Sequence, residues 1–128
     1  MNYYINKIVN GPFDKTVAKL VEALKNEGFG VLTDIDVKSV MKQKLDLEFR
    51  NYRILGACNP PLAHQALATE DKIGLMLPCN VIAQDLSDGR VEVAAINPLL
   101  AMEKIGNAEL TAVAEEVAAR LRRVVASL

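Results

Sequence analysis

Apolar residues along the chain repeat with two periods, and the switches between them mark out strands and helices. From Asn2 to Val9 they alternate loosely through Tyr3, Tyr4, Ile5, Ile8 and Val9, which predicts a first strand. Asn10-Gly11-Pro12 ends it, and Pro12 opens a helix where its missing N–H costs nothing. Phe13, Val17, Leu20, Val21 and Leu24 then recur at helical spacing, with Asp14, Lys15, Lys19, Glu22 and Lys25 on the other faces. Gly28 is the stop signal. Phe29 to Thr33 reads as a second strand, and Asp36 caps a short helix through Val37, Val40, Met41 and Leu45. Phe49 to Ala57 reads as a third strand, and Pro60-Pro61 starts a brief helix through Leu62, Ala63, Ala66 and Leu67.

Two further β-prone runs, Ile73 to Leu86 and Arg90 to Ile96, flank Ser87-Asp88-Gly89, a strong hairpin signal. With Asp88-Gly89 as a two-residue turn, Leu86 faces Val91, Gln84 faces Val93 and Ile82 faces Ala95. The reverse face then carries Cys79, Val81, Ala83, Ala94 and Ile96. A solvated face should alternate toward polar residues, so this one is expected to meet a subunit, a ligand or a covering helix. Pro98 closes the second arm. Asn107 caps a long last helix with Leu110, Val113, Ala114, Val117, Leu121, Val124 and Leu128 on one stripe. Hairpin-joined strands with helices early and late predict an α+β two-layer sandwich in a single domain over residues 1–128. Leu20, Leu24, Val113, Val117 and Leu121 are its expected core. No Gly-rich turn joins a strand to a helix, which excludes a Rossmann reading.

Charge narrows the partners. The formal net charge is −1, from 15 basic and 16 acidic residues, which gives no footprint for a nucleic-acid backbone. Lys38, Lys42 and Lys44 are the one local exception, and such a run is more often a solvated helix face. No apolar run reaches the ~18 residues of a membrane span. The opening MNYYINKIVNG lacks a secretory leader, so a cytoplasmic location is expected, with both cysteines as thiols.

Candidate chemistry gathers in two Cys-Asn dipeptides, Cys58-Asn59 and Cys79-Asn80, each beside proline and an apolar run. Sequential strands tend to be neighbours, so Cys58, Asn59, Cys79 and Asn80 are expected to converge where the third strand ends beside the hairpin arm, walling a pocket. Free cysteine is commonly a small buried hydrophobe, whereas a reactive thiolate needs a base or cation nearby. His64, the only histidine, is the one candidate base, although a lone histidine on a small helix face is more often solvated. Two cysteines and one histidine make a poor zinc site, and no cofactor is implied. Asn59 shapes the turn before Pro60, and Asn80 within an apolar strand should need hydrogen-bond partners. Gly56 admits a close approach or a bulge.

ILGACNPPLAHQAL and IGLMLPCNVIAQDLSDGRVEVAAINP, with the earlier GPFDKTVAKLVEALKNEGFGVLTDIDV, resemble the domain-of-unknown-function family numbered 302 over nearly the whole chain. The resemblance implies a fold similar to TATA-binding-protein-like domains, a curved and mainly antiparallel sheet with helices on one face. It also implies small cytosolic proteins often seen as homodimers, and it supplies no catalytic residues. The expected function is a non-catalytic homodimeric domain that binds a small molecule, with Cys58, Asn59, His64, Cys79 and Asn80 as the candidate ligand-binding residues. The rival is a thiol-dependent enzyme or redox protein using Cys58 or Cys79 with His64. Neither nucleic acid nor membrane is an expected partner.

Overall fold

The computed structural model of the chain describes residues 2–128. Five strands, β1 (Tyr4–Asn10), β2 (Gly30–Asp36), β3 (Tyr52–Cys58), β4 (Cys79–Asp85) and β5 (Arg90–Ile96), form one open antiparallel sheet in the order β1-β5-β4-β3-β2. Helices α1 (Phe13–Asn26) and α5 (Ala108–Ala126) pack on one face of it. The shorter α3 (Pro60–Thr69) and α4 (Pro98–Met102) pack against α5, and α2 (Val37–Leu45) flanks β2 and β3. The fold is α+β, as the order of periodic segments predicts.

The apolar stripes of α1 and α5 explain the layering. Leu20 and Leu24 from α1, and Leu110, Leu121 and Val124 from α5, are sealed against the sheet, while the charged residues between them face out. Val113 and Val117 are buried as well. At the C-terminal end of α5, the Lys7 ammonium donates to the Ala126 and Leu128 carbonyls at 3.1 and 2.6 Å, which ties β1 to the unpaired end of the helix.

The hairpin register differs from the expected one. Leu86 N–H donates to the Arg90 carbonyl at 3.0 Å, so the loop holds three residues, Ser87 to Gly89, with Ser87 and Gly89 both at positive φ. Asp85 accepts from Ser87 N–H and Asp88 from Arg90 N–H, which stabilises that longer loop. The ladder therefore pairs Val81 with Ala95, Ala83 with Val93 and Asp85 with Val91. Side chains alternate with period two, so one residue of slip changes which residues share a face. Val81 and Ala83 lie with Val91, Val93 and Ala95 beneath the helices, almost fully buried. Ala94 and Ile96 lie on the opposite face, so the expected apolar patch of Val81, Ala83, Ala94 and Ile96 does not exist.

That opposite face is uncovered and partly polar. Asn6 Nδ2 donates to Glu92 at 2.9 Å, Gln84 Nε2 to Glu92 at 2.8 Å, and Arg50 Nε to Gln84 at 3.0 Å. The Arg50 guanidinium also lies 4.5 Å from the Phe49 ring centroid and 5.3 Å from that of Tyr52. Gly56 lies on this face too. A Cβ there would collide with the Thr33 hydroxyl and the Pro78 ring, so the glycine admits two side chains.

Two elements escape the periodicity argument. Ile73–Met76 is a 3₁₀ turn rather than the start of a strand, and Pro98 begins α4 rather than closing an arm. The signal for α4 was present. Asn97 accepts from Leu99 N–H at 3.1 Å before Pro98, the same Asn-Pro start that Asn59 and Pro60 give α3.

Candidate functional site

β3 ends at Cys58 where β4 begins at Cys79, and the ladder sets Ala57 opposite Cys79. Above this end of the sheet the core is hollow, with a cavity of about 290 Å³. Its floor is Ala57, Cys58 and Cys79. Leu62, Ala63, Ala66 and Leu67 of α3 form one side, and Val113, Ala114 and Val117 of α5 the other. Phe29, Leu32, Leu77, Pro78 and Met102 complete the wall. The cause of the void is residue size. Four alanines, two cysteines and Gly74 among the lining residues leave space that the larger apolar residues around them do not fill.

Cys79 is buried, and burial pushes its thiol up to about 11, with the neighbouring Cys58 adding to the shift. It is therefore a neutral, apolar thiol at physiological pH. Cys58 is half-buried at the strand end and unpaired, and Cys79 is likewise a free thiol. Both sulfur-bearing residues line the same cavity, as their place in the sequence suggests.

Asn59 is 7% exposed and caps α3, its Oδ1 accepting from Leu62 N–H at 3.2 Å. It lines the cavity beside Cys58. His64 does not join them. It lies on the exposed side of α3, because helical spacing turns Ala63, Ala66 and Leu67 inward and His64 outward. No base from this residue reaches either thiol.

Asn80 is also elsewhere. Adjacent residues of a strand point to opposite faces, so burial of Cys79 places Asn80 on the uncovered face, opposite Gly56 in the ladder. It is exposed, so its amide needs no protein partner. It borders a shallow depression of about 450 Å³ shared with Tyr4, Tyr52, Ile82 and Glu92. The four residues of the two dipeptides thus split three to one, with Cys58, Asn59 and Cys79 together and Asn80 apart.

Among the described residues, no group of three or more His, Cys, Asp or Glu side chains could hold a metal ion. No helix of the described chain is long and apolar enough to cross a membrane. Sequence reasoning missed the α5 contribution to the cavity, since Val113 and Val117 read there only as core. The signal was the run of small residues at Ala63, Ala66 and Ala114, which no periodicity count weighs.

The geometry can be set against known proteins. One family model, Domain of unknown function DUF302, matches residues 5–128. The crystal structure of an uncharacterized conserved protein DUF302 from Bacillus stearothermophilus is similar at a TM-score of 0.90 and 26% identity, with 98% of each chain covered. No curated protein matches the chain.

Proposed function

Since the chain belongs to the DUF302 family, whose description assigns no reaction, we propose its function from the site itself: a binding domain that encloses one small apolar molecule between β3, β4, α3 and α5. The observation that carries this reading is an almost wholly apolar pocket of about 290 Å³ that opens to the surface past Leu32 and Leu67. Protein cores pack like organic crystals, and voids well above water size are few. An apolar cavity of about 150 Å³ is enough to hold benzene, so this one suits a body of about two fused rings. Aliphatic walls with few polar groups are the usual lining of small-molecule sites. Two free thiols suit a reducing, cytoplasmic compartment.

The same site argues against the thiol enzyme or redox protein. Burial keeps the Cys79 proton in place, and the only histidine faces solvent. Calorimetric titration with 2-ethylnaphthalene tests the binding reading. One-to-one saturation with a raised melting temperature is expected, and Ala114→Phe, which fills the void, should abolish it. A wild-type protein that shows no saturable binding up to the solubility limit sinks the proposal.

A separate observation supports the homodimer. Helix α2 buries none of its residues, yet it carries Val40 and Leu45, and Leu47 follows it. Edge strand β2 exposes Leu32 and Ile35 beside it. A nine-residue helix is marginal on its own, so its apolar side gains from a partner, and two-fold pairing of identical chains is the commonest form. Sedimentation should give a dimer at micromolar concentration and a monomer for Leu45→Glu. A monomeric wild type ends this reading.

A further inference from the structure

We infer that the pocket takes only the apolar end of its ligand, an amphiphile whose single polar head stays in water at a mouth between Leu32 and Leu67. The inference rests on the binding reading above and names the ligand class.

The lining offers a polar group no partner inside. Among the described residues, no charged side chain and no hydroxyl borders the pocket. Asn59 is the one amide there, and its oxygen is taken by Leu62 N–H at 3.2 Å. Its nitrogen lies toward Gly28, where a Cβ would come within 2.8 Å of it, and Gly28 does not border the pocket. Cys79 is a neutral thiol at physiological pH, which makes it a weak donor at best. A charged or strongly polar atom carried into this space would lose its water and gain nothing in return, at a heavy cost.

A bulge in β2 shapes the mouth. Val31 pairs with Ala57 and Thr33 with Gly56, which are neighbours on β3, so Leu32 is an extra residue outside the ladder. A bulge of this kind re-aims a side chain. Leu32 borders the pocket while 67% exposed, and Leu67 of α3 borders it while 43% exposed. The rim is therefore apolar yet open to water. A stem of hydrocarbon passing between the two leucines would cover them, which is favourable in proportion to the area removed from water. A wholly apolar ligand would gain from closing this opening, whereas an amphiphile needs it.

Calorimetric titration compares three probes built on one naphthyl body: 2-ethylnaphthalene, 2-naphthylacetate and 2-(2-naphthyl)ethylammonium. Wild type should bind all three within about tenfold of one another, because each head stays hydrated. A charge placed on the rim then reports where the heads lie. Leu32→Lys should tighten the anion and weaken the cation by roughly threefold each, and Leu32→Glu should do the reverse. The hydrocarbon should change by less than about twofold in either variant, since it carries no charge to feel the rim. Leu32 lies outside the ladder and largely in solvent, so neither variant empties the core. Leu67→Lys, on the opposite rim, replaces Leu32→Lys should that protein fail to fold, with the same signs expected. A wild type that saturates with the hydrocarbon but loses both charged probes by more than about a hundredfold overturns the inference and leaves the binding reading intact. Charged probes that ignore the rim charges overturn it as well. A wild type that binds none of the three overturns both.

Discussion

The interior changes character along α5. Toward its C-terminal end, Leu121 and Val124 belong to a layer filled by Leu20, Leu24 and Leu55, and none of these borders the cavity. Toward its N-terminal end, Val113, Ala114 and Val117 face open space above Cys58 and Cys79. The helix is regular throughout, and both segments bury the same stripe. The difference lies in what faces the stripe: sealed leucines at one end, and at the other a wall in which four alanines and two cysteines are mixed with larger apolar residues. A core of one hydrophobic character can thus be closed at one end and hollow at the other.

The largest expected effect tests the closed end. Leu121→Ala should destabilise the protein by about 2–5 kcal/mol in urea unfolding, since it removes a sealed side chain from a filled layer. A loss below about 0.5 kcal/mol would show that this end is no tighter than the other.

The next concerns Cys79, on the floor of the hollow end. Its thiol is raised to about 11 from an ordinary value of 9.0. The folded state therefore holds a proton that the unfolded chain gives up earlier. Its contribution is fully present below pH 9 and is lost as pH rises toward 11, by up to about 3 kcal/mol. Cys79→Ala should lack this component, so the stability gap between wild type and variant should shift toward the variant across that window. A constant gap would mean that the cavity floor is wetter than its apolar wall implies.

The smallest effect distinguishes the two ends most directly. Ala114→Leu places added carbon in the void and should change stability by less than about 1 kcal/mol while blocking ligand. Ala83→Leu, on the sheet beneath the helices and away from the cavity, should cost about 1–3 kcal/mol by overpacking. Equal costs in thermal unfolding would remove the contrast between filled and hollow.

Much of the scaffold was legible in the chain. The stripes of α1 and α5, the capping Asp36 and Asn107, and the placement of Leu20, Leu24 and Leu121 in the core all follow from local periodicity. The family was legible too, in the CNP and LPCNV segments that the family model spans. Ile73–Met76 was less so, because a short apolar run has the same composition whether it extends or turns.

The site was legible only in part, and each gap has a cause. The convergence of Cys58 and Cys79 follows from neighbouring strands, but the side on which each points depends on register. Asn80 was drawn toward Cys79 by adjacency in sequence and placed on the opposite face by the pleat. His64 was six residues from Cys58, and the phase of α3 turned it to solvent. By itself the sequence determined most of the strands and helices, the caps at Asp36 and Asn107, and the leucine stripes of the core. The tertiary structure alone decided the three-residue hairpin loop, the facing of Val81 and Ala83 toward the helices, and the gathering of alanines from α3 and α5 over the thiols. Periodicity and capping are properties of a few consecutive residues, whereas a cavity exists only in the distance between elements that the chain sets far apart.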